Sequence, residues 1–204
     1  MPECPRLIER PFPIVVSAPS GTGKTVIVEK LLGSDGRLQR ALTATTRVPR
    51  GGEVNGKDYL FLTEAQFEQK RKADEFAESA RVHGMWYGVP RESITGALQK
   101  GKWVVLNVDV QGGLTIKRTY PDAVMIFLLP PSLEELEARL RGRGSDSEEE
   151  IEERMRDALE EMAVAPKYEY VVVNDEVKTC ANRILAIVWA ETSRTSRGLV
   201  VPGA

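Results

Sequence analysis

Eight residues that follow a short apolar run combine glycine, lysine and threonine in the spacing of a phosphate-binding loop. The apolar run is residues 14–16, and the eight residues are Ala18, Pro19, Ser20, Gly21, Thr22, Gly23, Lys24 and Thr25. Glycines let backbone N–H groups turn inward toward phosphate oxygens, and the helix that follows would point the positive end of its dipole at the same place. Lys24 would reach the β- and γ-phosphates, and the Thr25 hydroxyl would bind magnesium. The motif predicts a site for a nucleoside triphosphate with Mg²⁺.

The first position of this loop departs from the common pattern, which has glycine where this chain has Ala18. Alanine fits a tight turn as long as its φ is negative, so the loop can still form. Gly21 and Gly23 are retained beside Lys24. The competing interpretation is a chance glycine-rich turn, but a strand before the loop and a helix after it are the context that the motif requires.

A second group of residues predicts a binding site for a monophosphate. Arg47 and Arg50 lie three residues apart, and Pro49 stiffens the link between them. Two guanidinium forks together with hydroxyl groups match the oxygens of a phosphate dianion. The hydroxyls would come from Thr43, Tyr59 and Tyr87. The alternative is a pair of surface arginines on a loop, which the neighbouring triphosphate motif disfavours.

A third group consists of arginines on or beside a glycine-containing loop at residues 139–147. The arginines are Arg139, Arg143 and Arg154. Glycine hinges and phosphate-binding guanidinium groups are typical of a mobile lid. Phosphoryl transfer spreads charge over the equatorial oxygens of the moving group, so catalysis depends mostly on positioning and electrostatics. A donor site, an acceptor site and a lid together indicate a nucleotide-type kinase.

Composition limits the other classes of function. The chain has 204 residues, 42% of them hydrophobic, and a formal net charge of −2. This is enough for one domain with one core, and it lacks the basic field that binds nucleic acid. Cys4 and Cys180 lie far apart with no CxxC spacing, so neither a disulfide nor a zinc site is expected. The single histidine, His83, is interpreted as an exposed loop residue, and the acidic run at 148–153 as a solvated helix face.

The sequence shows no sign of a membrane span or of a signal peptide. No apolar stretch reaches 18 residues, and the first residues are broken by prolines and lack the apolar core of a leader. We therefore expect a cytoplasmic protein that does not bind membranes. The composition does not indicate an oligomeric state.

Short apolar strands alternate with amphipathic helices along the chain, which predicts an α/β fold with a parallel sheet flanked by helices. The predicted strands are residues 14–17, 103–109, 124–129 and 170–173. Their residues are continuously apolar rather than alternating, as in strands that are buried on both faces. Three helix starts are marked by capping boxes, namely Thr63 with Gln66, Ser132 with Glu135, and Ser147 with Glu150.

The predicted organisation is a single domain over residues 13–194 with an inserted lobe. The segment that starts at residue 43 is rich in glycine, arginine, tyrosine and acidic residues and does not fit the pattern of the core. The predicted parts are a loose N-terminal extension at 1–12, a core at 13–42 and 90–194, an acceptor lobe at 43–89, a lid at 139–155 and a C-terminal tail at 195–204.

From about residue 13 to residue 191 the chain resembles the guanylate kinase family, enzymes that phosphorylate GMP with ATP. The matching blocks are residues 17–24, 45–50, 52–59, 87–88, 109–112, 130–132, 142–144 and 173–175. The resemblance implies a P-loop kinase fold with a GMP-binding lobe. It also implies Mg-ATP as the phosphoryl donor and GMP, together with dGMP, as the acceptor.

The resemblance further implies a role for individual residues. The GMP phosphate would be held by Thr43, Arg47, Arg50, Tyr59 and Tyr87. Guanine would be read by Glu78 and Asp109, and the adenine of ATP would lie near Asn174. The ATP phosphates would be bound by residues 18–25, with Lys24 catalytic and Thr25 on the magnesium ion. The transferring phosphoryl group would be enclosed by Arg139, Arg143 and Arg154.

The chemistry of guanine agrees with the role that the resemblance implies for Glu78. Guanine presents its N1–H and its exocyclic NH₂ side by side, so one carboxylate accepts from both. Adenine has an unprotonated N1, which would face the negative charge unpaired. The competing interpretation of Glu78 is an acidic residue on a solvated strand edge.

Two positions depart from the family pattern. Val89 stands where many members have a serine or threonine after the Tyr-Gly pair, which removes a hydroxyl that could donate to guanine O6. Asn107 stands where many members have an aspartate, which keeps an acceptor oxygen but loses the charge. A weaker guanine or magnesium–water contact is the expected consequence.

Two other functions share parts of this pattern. A related kinase acting on a ribose phosphate would keep the donor loop with a different acceptor lobe, and Glu78 with residues 45–50 argues against it. An interaction domain of scaffolding proteins would keep the acceptor lobe to bind phosphopeptides but would have lost the use of ATP. The retained Gly23, Lys24 and Thr25 argue against that alternative.

Overall fold

The computed structural model describes residues 4–82, 84–142 and 147–201. His83 and Arg143 lie outside the described residues, so their predicted roles stay predictions. The strands, in chain order, are β1 (Arg6–Leu7), β2 (Pro13–Ser17), β3 (Leu38–Arg40), β4 (Ala44–Thr45), β5 (Leu60–Phe61), β6 (Phe76–Val82), β7 (Met85–Pro90), β8 (Trp103–Asn107), β9 (Val124–Leu129), β10 (Tyr170–Val173) and β11 (Leu199–Val200). The helices are α1 (Lys24–Leu32), α2 (Glu64–Lys72), α3 (Arg91–Gln99), α4 (Val110–Thr119), α5 (Leu133–Arg141), α6 (Glu148–Met162), α7 (Val177–Thr192) and α8 (Thr195–Gly198), with a 3₁₀ turn at Ala165–Lys167.

The central sheet is parallel, with strand order β10-β9-β2-β8-β3. All four predicted strands belong to it, which confirms the predicted α/β fold. The prediction was wrong at the end of β8, because the strand stops at Asn107 and Asp109 instead caps α4. The edge strand β3 was not predicted, since only Leu38 of its three residues is buried and so few residues show no period.

The inner strands β2, β8 and β9 of the central sheet are buried on both faces. In β2 the side chains of Ile14 and Val16 pack into the cluster formed with α1 and α7, while Val15 packs into the cluster formed with α3 and α4. Successive strand residues point to opposite faces, so a strand covered on both sides needs apolar residues at every position. This confirms the interpretation of the continuous apolar runs for β2, β8 and β9. It was wrong for β10, an edge strand in which Val171 and Val173 are 49% and 39% exposed.

The three predicted helix starts are present, and two of them carry the full capping box. At Thr63 and at Ser147 the hydroxyl accepts from the N–H three residues later, and that residue's side chain accepts from the cap N–H. At Ser132 the hydroxyl accepts from the Glu135 N–H, but the Glu135 carboxylate pairs with Arg139 at 3.0 Å. The capping box predicted at Ser132 was therefore wrong in its second hydrogen bond, because the Glu135 carboxylate forms an i,i+4 ion pair with Arg139 instead.

A second, four-stranded sheet of order β5-β4-β7-β6 forms the lobe predicted between residues 43 and 89. It packs with α2 around a small apolar cluster of its own, in which Phe67 stacks on Phe76 with ring centroids 4.5 Å apart. On its other side the sheet is joined to the central core, because Ala77 and Val89 pack into the cluster formed with α3 and α4.

The two chain ends pair with each other. Strands β1 and β11 are antiparallel, and the Ile8 N–H donates to the Gly198 carbonyl at 2.9 Å. The expectation of a loose N-terminal extension was therefore wrong at these residues. Two-residue strands carry no sequence period, so only the tertiary structure could reveal the pairing. Within the described residues, no helix combines the length and the apolar character that crossing a membrane requires.

Candidate functional site

The loop between β2 and α1 has the backbone conformation of a phosphate-binding loop. Gly21 and Gly23 adopt φ values of 89° and 88°, which a residue with a side chain rarely takes. Ala18 is buried, and the only described residue other than glycine with a positive φ is Asp74. Alanine at the first position of the loop is therefore tolerated, since that position does not use the left-handed region.

The loop borders a cleft of about 490 Å³, here called the loop cleft. Its walls come from the loop, the first turn of α1, α6, the end of β6 and the N-cap of α4. They comprise Ala18, Pro19, Ser20, Gly21, Gly23, Lys24, Thr25, Val26, Val82, Asp109, Arg154, Asp157 and Glu161. Most of the residues predicted for triphosphate binding therefore meet in one place, together with one of the predicted lid arginines.

Lys24 lies at the start of α1 and donates from Nζ to the Val108 carbonyl at 2.5 Å. Burial lowers the pKa of Lys24 to about 8, and the carboxylates of Asp109, Glu161 and Glu78 partly oppose that shift. The ammonium is thus held near three acidic groups. A phosphate entering the loop cleft would find a positive charge with few competing water molecules.

Helix α6 contacts the phosphate loop through one face. Arg154 donates from Nη2 to the Ser20 hydroxyl at 2.9 Å, and the Ser20 N–H donates to Glu161 at 3.2 Å. Burial raises the pKa of the Glu161 carboxyl. Sequence reasoning missed Glu161, which lies beyond the acidic run at 148–153. The signal was its spacing of seven residues from Arg154, which puts both on one helix face.

Arg139, on α5, and Asn174, just after β10, also contact the loop. Arg139 donates from Nη1 to the Thr22 carbonyl at 3.1 Å, and Asn174 donates from Nδ2 to the same carbonyl at 2.6 Å. Asn174 is 4% exposed. The structure thus brings both predicted residues to the phosphate loop.

A second cleft of about 180 Å³ lies between the lobe and the central sheet, here called the lobe cleft. It is lined by Thr43, Tyr59, Glu78, Ala80, Val82, Tyr87, Asn107, Val108 and Asp109. Five of the seven residues predicted for the acceptor therefore lie around one cavity. Asp109 and Val82 line both clefts, so the two cavities adjoin.

Arg47 and Arg50, the other two residues predicted for the acceptor, are not among the residues that line this cleft. Arg47 pairs with Glu53 at 2.8 Å, and its guanidinium lies 5.3 Å from the ring centre of Tyr59. Arg50 is exposed and donates its backbone N–H to Glu53 at 2.7 Å. Glu53, which sequence reasoning did not single out, therefore contacts both ends of the segment 47–50. An acidic residue three positions after an arginine was the available signal.

Glu78 is buried in the wall of the lobe cleft, with 8% of its surface exposed. Burial raises the pKa of Glu78 to about 7, the nearby Asp109 adds to the shift, and Lys24 opposes it. A side chain on Gly112 would place its Cβ 3.0 Å from a Glu78 carboxylate oxygen, so glycine lets α4 come close. The alternative interpretation, an acidic residue on a solvated strand edge, was wrong.

Asp109 lines both clefts and lies at the end of the short loop between β8 and α4. Its carboxylate accepts from the Gly112 N–H at 2.6 Å and caps α4, which fixes the side chain. Of the two departures from the family pattern, Asn107 lines the lobe cleft, while Val89 is 1% exposed and packs in the core. Val89 pairs with Glu78 across β6 and β7.

Comparison with known proteins gives consistent results. The family model for guanylate kinase matches residues 10–191. The guanylate kinase of Caldanaerobacter subterraneus subsp. tengcongensis is 45% identical over 184 residues, covering 90% of this chain and 89% of that protein. The guanylate kinase of Clostridium tetani is 41% identical over 190 residues, covering 93% and 91%. The crystal structure of guanylate kinase from Anaplasma phagocytophilum superposes with a TM-score of 0.77 at 32% identity, covering 94% of this chain and 92% of that one. The chain belongs to the guanylate kinase family.

Proposed function

We propose that this chain transfers the γ-phosphoryl group of ATP to GMP and so produces ADP and GDP. The observation that carries the proposal is the pair of adjoining clefts, which share Asp109 and Val82. The loop cleft has the backbone of a triphosphate site, and the lobe cleft has a buried carboxylate and several hydroxyls. Two nucleotides bound in these clefts would have their phosphates side by side, as direct transfer requires.

On the donor side, Lys24 would neutralise charge on the transferring phosphoryl group, because it lies beside the glycine loop at the start of α1. Thr25 lines the same cleft, and its hydroxyl would hold Mg²⁺ that enters with ATP. Within the described ranges no three acidic, histidine or cysteine residues form a metal cluster. This donor set fits Mg²⁺, which is bound mainly by substrate phosphates and water and would reduce repulsion between the two nucleotides.

On the acceptor side, Glu78 would accept from the N1–H and the NH₂ of guanine, since its carboxylate faces the lobe cleft. The GMP phosphate would be bound by hydroxyls and guanidinium groups. These residues are Thr43, Tyr59, Tyr87, Arg47 and Arg50. Asp109 would assist guanine recognition. dGMP is expected as a second acceptor because all these contacts go to the base and the phosphate.

The lid arginines would enclose the transferring group. Arg154 and Arg139 already contact the phosphate loop through Ser20 and Thr22. Arg143, which lies outside the described residues, is proposed to join them when the lid closes. Closure would exclude water that would otherwise hydrolyse ATP. Because both substrates are nucleotides, the cytoplasm is the proposed location.

One experiment tests the proposal against both alternatives. ADP formation is measured with Mg-ATP and each of GMP, dGMP, AMP, CMP, UMP and ribose phosphates. Rapid turnover with GMP and dGMP alone is the expected result. Turnover with a ribose phosphate would indicate the related kinase instead. Absence of turnover with every acceptor, together with retained GMP binding, would indicate an interaction domain.

A further inference from the structure

The carbonyl oxygen of Thr22, in the middle of the phosphate loop, accepts two hydrogen bonds from outside the loop. One comes from Asn174 Nδ2 at 2.6 Å, just after β10, and the other from Arg139 Nη1 at 3.1 Å, on α5. The Thr22 side chain is fully buried, and its hydroxyl has no partner among the described residues. The carbonyl, rather than the side chain, is therefore the group through which the rest of the protein holds this residue.

Holding this oxygen fixes the direction of a neighbouring N–H. The peptide between Thr22 and Gly23 is trans, since the described residues contain no cis bond. In a trans peptide the C=O and the following N–H point in opposite directions. Gly23 lines the loop cleft, whereas Asn174 is not among the residues lining it. A carbonyl directed at Asn174 therefore aims the Gly23 N–H toward the cleft, where phosphate oxygens would accept from it.

The loop backbone by itself does not determine this orientation. Rotating the peptide between Thr22 and Gly23 changes φ of Gly23, and glycine takes positive and negative φ about equally readily. The other torsion that changes is ψ of Thr22, and the hydroxyl of Thr22 has no partner among the described residues that would restrict it. Reversed, the peptide would present its carbonyl oxygen to the phosphate and repel it. An external contact is needed to select the orientation that binds.

We infer that Asn174 is a positioning residue for the phosphate loop, acting through the Thr22 carbonyl rather than only near the adenine. The inference rests on the proposed function. The backbone N–H of Asn174 donates to the carbonyl of Leu129, the last residue of β9, at 2.8 Å. The central sheet therefore fixes the backbone from which the Asn174 side chain extends. A Cβ on Gly23 would lie 3.2 Å from Asn174 Nδ2, which shows how closely the amide packs against the loop.

Inorganic tripolyphosphate with Mg²⁺ separates positioning from contact with the base, because it has no adenine. Two variants are compared, Asn174→Ala, which removes the donor, and Asn174→Asp, which puts a carboxylate against the carbonyl. We expect the affinity for Mg-tripolyphosphate, measured by calorimetry, to fall about tenfold in Asn174→Ala, since a buried acceptor loses one of two donors. The loss in Asn174→Asp is expected to be larger. The matched control is Asn182→Ala, an exposed asparagine on α7, which should bind as the unaltered protein does.

Kinetics provide a second readout. The KM for ATP is expected to rise in both Asn174 variants, while the KM for GMP stays within about twofold because the lobe cleft does not include Asn174. A raised KM for ATP with unchanged tripolyphosphate affinity would overturn the inference and leave Asn174 as a contact to the base. Tripolyphosphate binding does not depend on the acceptor. If the unaltered protein phosphorylates no acceptor, the proposed function fails, and the binding result still decides the role of Asn174.

A measurement on the unaltered protein covers the case in which the variants do not fold. Hydrogen exchange and the nuclear magnetic resonance shift of the Gly23 amide are followed on addition of Mg-tripolyphosphate, together with the side-chain amide of Asn174. We expect the Gly23 amide to shift strongly and the Asn174 side-chain amide to remain protected before and after. An Asn174 amide that exchanges freely in the bound state would overturn the inference.

Discussion

The two clefts are built in different ways. The loop cleft is formed mainly by the backbone of one continuous segment, and its orientation is held by Asn174, Arg139 and Arg154, which come from three other elements. The lobe cleft is formed by side chains spread from Thr43 to Asp109. Arg47 and Arg50, which are proposed to bind the acceptor phosphate, lie on a surface segment that Glu53 contacts. Phosphate is common to every nucleotide and can be bound by a rigid backbone, whereas choosing one base needs side chains.

The largest effect is expected at the loop cleft. Lys24→Ala should lower kcat by about a hundredfold or more, because the ammonium stabilises charge on the transferring group. The fold and the affinity for GMP should change little, since burying this cation is itself unfavourable, as its lowered pKa of about 8 indicates. Steady-state kinetics and GMP calorimetry measure both. Lys30→Ala, an exposed lysine in the last turn of the same helix, serves as the control. Near-normal kcat in Lys24→Ala would contradict the donor assignment.

The next largest effect tests base recognition in the lobe cleft. Glu78→Gln keeps the size of the side chain but puts an NH₂ where the second guanine donor would bind. We expect kcat/KM for GMP to fall by a factor that corresponds to roughly 2–4 kcal/mol of transition-state stabilisation. Discrimination against AMP should become weaker. The KM for ATP should be unchanged, and Glu64→Gln, on the exposed face of α2, should behave as the unaltered protein. Unchanged discrimination between GMP and AMP in Glu78→Gln would indicate that Asp109, and not Glu78, recognises the base.

A smaller effect is expected at Arg50, which is proposed to bind the phosphate of GMP. Arg50→Ala should weaken GMP binding by roughly 1.5–3 kcal/mol, the range for a hydrogen bond to a charged group. Calorimetry with GMP measures the change, and Arg118→Ala, an exposed arginine on α4, is the matched control. If both variants bind GMP equally well, Arg50 is a surface residue and the phosphate depends on Arg47 and the hydroxyls.

The smallest effect is a dependence on pH that arises from Glu78 in the lobe cleft. Burial raises the pKa of Glu78 to about 7, and only the carboxylate accepts from both guanine donors. At saturating ATP, kcat/KM for GMP should therefore rise about tenfold from pH 6 to pH 8 and level off above it. Glu78→Gln should remove this rise. A rise of the same size in Glu78→Gln would assign the titration to another group.

The same pKa shift predicts how stability depends on pH. The folded protein keeps a proton on Glu78 up to about pH 7, whereas the unfolded chain releases it near the ordinary value of 4.5. Between these values the folded state binds more protons, so the free energy of unfolding falls as pH rises. Denaturant unfolding across this window measures the fall, and Glu78→Gln should reduce it. An equal fall in that variant would contradict the prediction.

The sequence alone predicted the central sheet and the triphosphate loop, and both for a physical reason. Strands covered on two faces need continuous apolar residues, and the loop needs glycines where φ is positive, so each leaves a local pattern. Capping at Thr63 and Ser147 is local as well. The residues assigned to the acceptor phosphate were predicted from their types and spacing, whereas the roles of Glu78 and Asp109 in reading guanine came from a resemblance to a family. Five of these seven residues line one cleft.

Only the tertiary structure decided which distant residues meet and how each is held. The contacts of Asn174 with Thr22 and of Glu161 with Ser20 join residues more than 100 positions apart, and so does the pairing of β1 with β11. The burial that raises the pKa of Glu78 depends on α4 approaching β6 at Gly112. Such contacts leave no period or spacing in the chain, because they depend on packing between elements and not on the order of neighbouring residues.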